Sequence, residues 1–107
     1  MSQNQLTESD IAEMARRIVA AAQPLKVILF GSRARGTARP NSDVDLLVIK
    51  PEPVHQREES ARLRVLLRDF SAPIDIVVVG QAFVERYGDI PGSVVYPALR
   101  EGRVLYG

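Results

Sequence analysis

Three aspartates interrupt runs that are otherwise apolar. Asp43 and Asp45 flank Val44 at the head of VDLLVIK, and Asp75 sits between Ile74 and Ile76 at the head of IDIVVV. Side chains alternate along a strand, so Asp43 and Asp45 point to the same face, ~6.5 Å apart along the chain. If the two runs are parallel neighbours, Asp75 lies beside them at the same end. Carboxylates that close repel one another: at ~5 Å and an effective dielectric of ~20, each pair costs about 3 kcal/mol. A cation offsets that cost. The ligands on offer are oxygens, because the chain has no cysteine and one histidine, His55. Such a set suits Mg2+ or Mn2+ rather than zinc. Two such ions, ~3.5–4 Å apart, can stabilise both the attacking and the leaving oxygen of a phosphoryl displacement.

The segment before Asp43 suits the same chemistry. Gly31 follows the apolar run LKVILF and lets a backbone approach a phosphate with no Cβ in the way. Ser32 adds a hydroxyl, and the amides after it open a helical turn that favours anions. Arg33 and Arg35 bring charge for a triphosphate, and Gly36 permits a tight exit. Taken singly, each part has an ordinary reading: a turn, a surface acid pair, an edge-strand charge, solvated loop arginines. Together they are far more specific, because Gly31-Ser32 follows a strand, ten residues intervene, and D-x-D opens the next strand.

The elements that must position these residues can be read coarsely. Thr7 with Asp10 predicts a helix start, and Ile11, Met14, Ile18 and Ala22 recur at helical spacing up to Pro24. Leu25–Phe30 is expected as a buried strand, then one helical turn at Ser32–Arg35, then a strand over Val44–Lys50. His55–Phe70 reads as a helix, Ile74–Val79 as a third strand and Gln81–Tyr87 as a short helix. Gly92–Glu101 reads as another, weakened by Pro97, and Arg103–Tyr106 as a last extended piece. The first two strands lack a crossover helix and should be antiparallel. The second and third have room for a right-handed parallel crossover. The expected class is α/β, a small mixed sheet covered by helices mainly on one face.

Length and composition narrow the possibilities. A chain of 107 residues fits one domain over 1–107, with 1–6 expected to be flexible. Zero cysteines exclude disulfides and thiol nucleophiles, and one histidine excludes any site needing two imidazoles. A net charge of +1 argues against independent nucleic-acid binding. Only Lys26 and Lys50 are lysines, so the positive charge is mostly arginine forks, which suit phosphates and carboxylates. No run approaches the ~18 apolar residues of a membrane span, and the first residues do not resemble a signal peptide. A cytoplasmic location is expected.

GSRARGTARPNSDVDLLVI resembles the signature of the nucleotidyltransferase superfamily that includes DNA polymerase beta: G-S, ten residues, D-x-D. The short length and the closing GSVVYPALREGRVLYG resemble the minimal nucleotidyltransferases, which are often encoded beside a HEPN-domain toxin as its antitoxin. The resemblance spans residues ~7–107 and implies the nucleotidyltransferase fold. It implies that Gly31 and Ser32 hold nucleotide phosphates and that Asp43 and Asp45 bind two Mg2+ ions. Asp75 would bind the catalytic ion and help deprotonate an acceptor hydroxyl. The implied reaction is transfer of AMP from ATP to a hydroxyl, such as a tyrosine, of the partner toxin. Two alternatives stay open. One is an antitoxin that works by occlusion without catalysis, and the other is transfer to a small molecule or an RNA end. His55 reads as a solvated or capping residue. Tyr87, Tyr96 and Tyr106 read as core or interface, and Val94, Val95, Tyr96 and Leu99 as core packing, with a partner-binding surface as the alternative.

Overall fold

The structure, a computed structural model, describes residues 6–39 and 41–107. Thr7 opens the first helix. Its hydroxyl accepts the Asp10 N–H at 3.1 Å, and its own N–H donates to the Asp10 carboxylate at 3.0 Å. This reciprocal cap satisfies two donors that a helix start leaves open. Helix α1 (Glu8–Ala22) buries Ile11, Met14, Ala15, Ile18 and Ala22, one stripe at helical spacing. It ends where Gln23 turns left-handed at φ 51°, one residue before Pro24.

Strand β1 (Lys26–Phe30) follows, then the single turn α2 (Ser32–Arg35) and strand β2 (Val44–Lys50). Helix α3 (Gln56–Leu66) crosses over to β3 (Ile74–Gly80). Short helices α4 (Gln81–Tyr87) and α5 (Tyr96–Glu101) lead to β4 (Arg103–Tyr106). The sheet order is β3-β2-β1-β4, with β2 and β3 parallel and the other pairs antiparallel. The expected relations among the first three strands therefore hold. The last extended piece becomes a fourth strand on the free side of β1.

Alternation along the strands divides the core in two. Val44, Leu46 and Val48 face α1 and α3 and join Met14, Ile18, Leu63 and Leu67. Leu47, Ile49 and Val79 face the other way, with Ala98 of α5, Val95 at its N-cap, and Phe83 and Val84 from α4. Helices thus cover both faces, the α1–α3 side more fully than the other, where mainly one covered face was expected. No helix among the described residues is long and apolar enough to cross a membrane.

Several expectations are revised. Helix α3 ends at Leu66 rather than Phe70, because Arg17 reaches across from α1 and donates to the Leu66 carbonyl at 3.2 Å. Helix α5 begins at Tyr96 rather than Gly92. Pro97 lies in its first turn, where a missing N–H costs nothing, so it opens the helix instead of weakening it. Val95 is fully buried, but Val94 and Leu99 are exposed, so the core reading holds for only part of that stretch. Tyr87 is exposed, its ring 4.7 Å from Phe83, and Tyr106 is exposed on β4. His55 occupies the N-cap position of α3 without a side-chain cap bond. The flexible stretch expected at residues 1–6 lies, except for Leu6, outside the described residues; Leu6 packs against the larger core.

Candidate active site

The register of the sheet assembles the site. Asp45 is the partner of Asp75 across β2 and β3, and Phe30 is the partner of Asp45 across β1 and β2. The heads of the two parallel strands are tied by the Val44 N–H, which donates to the Pro73 carbonyl at 2.9 Å. By alternation Asp45 and Asp75 share the face that carries Leu47 and Val79. Asp43 lies one residue before β2. The antiparallel β1 delivers Gly31 to this corner, as the sequence suggested.

Gly31 sits against Asp45. Its backbone, φ 78° and ψ −159°, lies in a region essentially restricted to glycine. A Cβ at this position would overlap the Asp45 carboxylate. The Gly31 carbonyl accepts the N–H groups of Ala34 and Arg35, both at 3.1 Å, which closes α2. Gly36, at φ 79°, then turns the chain outward.

The return toward β2 is fastened internally. The Arg33 guanidinium donates to the Ser42 carbonyl at 2.8 and 3.2 Å. The Arg39 N–H donates to Ser42 Oγ at 2.8 Å, and the Ser42 N–H to the Arg39 carbonyl at 3.0 Å. Arg33, expected at a nucleotide, is thus engaged in holding the loop that carries Asp43. Arg35 is half exposed and lies 3.8 Å from Glu101 of α5. Its charge also reaches Asp45.

The carboxylates differ in surroundings. Asp43 and Asp75 are exposed, and Asp45 is partly buried. Burial, then the charges of Asp75 and Asp43, push the Asp45 carboxyl above the usual carboxylate range, while Arg35 opposes them. Asp45 therefore feels both of the other acids. Neither Asp43 nor Asp45 accepts a hydrogen bond from the described residues. Asp75 does: Arg64 Nη2 donates to its Oδ1 at 3.1 Å. As placed, no group of three or more His, Cys, Asp or Glu side chains among the described residues closes around an ion position. Two open carboxylates with a third alongside fit a hard divalent cation. Arg64 holds the third.

Sequence reasoning did not single out Arg64. It sits on a polar helix with no motif around it, and only the packing of α3 on β3 brings it to Asp75. A groove of about 680 Å3 with largely apolar walls lies between α1 and β4 at the other edge of the sheet. Ile11, Ala15, Val19 and Leu105 line it, and none of the three aspartates does. The carboxylate corner is better placed for chemistry, because its residue types carry it.

Fold and corner together define the class: a small α/β domain that sets a glycine-led turn against strand-borne carboxylates. Over residues 11–95 the chain matches the family described as Nucleotidyltransferase domain, and it belongs to that family. No curated protein matches it. Solved structures do. A Sulfolobus solfataricus protein assigned as a nucleotidyltransferase shares 17% identity, with TM-score 0.59, over 90% of this chain and 76% of its own. A toxin–antitoxin complex solved with AMP-PNP shares 23%, with TM-score 0.58, over 95% and 74%. A mutant of the toxin–antitoxin pair MntA-HpeT shares 24%, with TM-score 0.56, over 96% and 74%. At these identities the likeness is one of fold.

Proposed function

We propose that this chain transfers AMP from ATP to a hydroxyl on a partner protein, a HEPN-domain toxin, and so acts as its antitoxin. The observation that carries the reading is the in-register pair Asp45 and Asp75, with Asp43 two residues away and Gly31 pressed against Asp45. The family match and the toxin–antitoxin neighbours, one with AMP-PNP, support it.

Asp43, Asp45 and Asp75 are the residues that would hold divalent cations. Such ions neutralise charge on the transferring phosphoryl group and orient it. The chain's own residues supply the rest. Gly31 leaves room for phosphate oxygens, and Ser32 offers a hydroxyl beside them. Arg35, already within electrostatic reach of Asp45, adds positive charge at the phosphates. Asp75 accepts the proton from the acceptor hydroxyl. The acceptor oxygen forms a bond to the α-phosphorus, the bond to the β-phosphate bridging oxygen breaks, and pyrophosphate leaves. In-line geometry depends on both reactants being held, and positioning of this kind accounts for much of such catalysis.

The test is incubation with α-labelled ATP and Mg2+, with and without the protein of the adjacent gene, resolved by gel and intact mass. The expected result is a gain of one or more AMP units on the partner, lost to background in Asp43→Asn/Asp45→Asn. Transfer retained by a folded double mutant would overturn the reading.

A second reading, neutralisation by occlusion, is favoured by the exposed apolar residues Ile90, Val94 and Leu99 around the α4–α5 connection. A double mutant that transfers nothing yet neutralises its partner as well as wild type would establish it.

A further inference from the structure

Arg64 belongs to α3, but its guanidinium is used at the carboxylate corner. Nη2 donates to Asp75 Oδ1 at 3.1 Å and reaches the Ile76 carbonyl at 3.5 Å. Strand β3 is at the edge of the sheet, so Arg64 comes to it from the unpaired side. Both side chains of the ion pair are about half exposed, 49% for Arg64 and 57% for Asp75. Water-exposed pairs of this kind are weak, since solvent screens them and ordering two side chains opposes them.

We propose that Arg64 is a displaceable counter-ion of Asp75, holding the third carboxylate at the sheet edge until a divalent cation claims it. The proposal rests on the reading that Asp43, Asp45 and Asp75 hold such an ion.

Three observations lead here. The register sets Asp75 beside Asp45, so little movement separates it from a shared ion. The three acids nonetheless do not close around a point, and the partner that Asp75 has is Arg64. Once released, the guanidinium has somewhere to stay. The Ile76 carbonyl is already within reach, in an open hollow of about 360 Å3 that Arg64 and Asp75 themselves line together with Gln56 and Ser60, so the guanidinium can stay on the carbonyl when the carboxylate turns away. Helix α3 need not move. A divalent ion carries twice the charge of the guanidinium and can take oxygens from both strands at once. Arg64 is then a positioning residue that sets the cation concentration at which the site fills.

The test is direct Mn2+ binding to the whole chain without nucleotide, read by electron paramagnetic resonance, with circular dichroism to confirm folding. Arg64→Gln should lower the half-saturating Mn2+ concentration by about two- to fivefold, the range an exposed ion pair supports. Arg64→Lys should lie between that variant and wild type. Arg68→Gln changes net charge equally, one turn further along the chain and with no bond to Asp75, and should shift binding less. In an Asp75→Asn background, Arg64→Gln should add nothing. Equal shifts from Arg64→Gln and Arg68→Gln, or a shift that survives Asp75→Asn, would reduce the effect to bulk charge and overturn the proposal. Weaker binding in Arg64→Gln would overturn it too, since Arg64 would then be supporting the ion. Binding lost in Asp43→Asn/Asp45→Asn but unmoved by Arg64→Gln overturns the counter-ion role alone. Binding unaffected by Asp43→Asn/Asp45→Asn overturns the underlying site, and this inference with it.

Discussion

Gly31, the residue after β1, lies so close to Asp45 of β2 that the glycine has no room for a side chain: a Cβ there would overlap the Asp45 carboxylate. The turn that starts α2 and the carboxylate of β2 are thus one unit. Gly31→Ala should destabilise the fold by about 1–3 kcal/mol, the cost of a glycine-only backbone conformation. It should also displace the carboxylate and weaken Mn2+ binding. Gly36 shares a positive φ but has open space around it. Gly36→Asn, which tolerates a left-handed backbone, should keep near-normal stability and Mn2+ binding. Thermal denaturation and Mn2+ titration of both variants check the contrast.

Asp45 is strained electrostatically when no cation is present. Its folded carboxyl titrates above the usual range, chiefly through burial and then through Asp75 and Asp43. The unfolded chain therefore gives up this proton at lower pH than the folded one. Stability falls as pH rises from the unfolded value through the folded one, and the cost persists at neutrality. Asp45→Asn in chelator should raise the melting temperature by about 2–4 °C, taking a screened gain on the order of half a kcal/mol. With Mg2+ added, wild type should gain stability and the variant should gain less. A melt in chelator that shows Asp45→Asn less stable than wild type would count against this account.

Much of the corner was legible because its parts carry local signals. A glycine after an apolar run, ten residues, and acids at strand heads brought Asp45 and Asp75 together, as the register does, and Gly31 to their corner, where it touches Asp45. Strand β2, the turn α2 and helix α4 have the expected bounds, since Gly31, Gly36, Pro51 and Gly80 punctuate them. What escaped depends on contacts between distant segments. The end of α3 is set by Arg17 of α1, and the place of β4 by pairing with β1. Arg64 meets Asp75 only after α3 packs on β3. Arg33 was read by its charge as a phosphate ligand, and its bonds to the Ser42 carbonyl are those of a loop clasp.

The two loop arginines should therefore separate by experiment. Arg35 opposes the upward push on Asp45, whereas Arg33 is bonded to the Ser42 carbonyl. Arg35→Ala should move the Asp45 titration further up. Carboxyl carbon chemical shifts followed against pH would read this directly. Arg33→Ala should instead raise amide hydrogen exchange around Ser42, where the clasp is lost.

Acid should loosen α1 from the segment that follows α3 in a predictable direction. Arg17 donates to Asp69 at 2.6 and 3.1 Å and to Glu13 at 3.1 Å, and its guanidinium lies 4.8 Å from the Phe70 ring centre. The Arg17 hydrogen bond holds the Asp69 carboxyl below its usual range, and bonds from Arg16 and Arg17 do the same for Glu13. Both acids are thus ionised more readily folded than unfolded. Their stabilisation is present above the unfolded carboxylate values and is lost as pH falls through the lower folded ones. Asp69→Asn removes part of that dependence. Melting temperatures taken from pH ~7 down to ~3 should therefore fall more steeply for wild type than for Asp69→Asn, with the gap narrowing toward the acid end. Parallel curves for the two proteins would show that the Arg17–Asp69 bond contributes no net stability, leaving the contact between α1 and α3 to Leu63 packing and to the Arg17–Leu66 and Arg62–Ala21 hydrogen bonds.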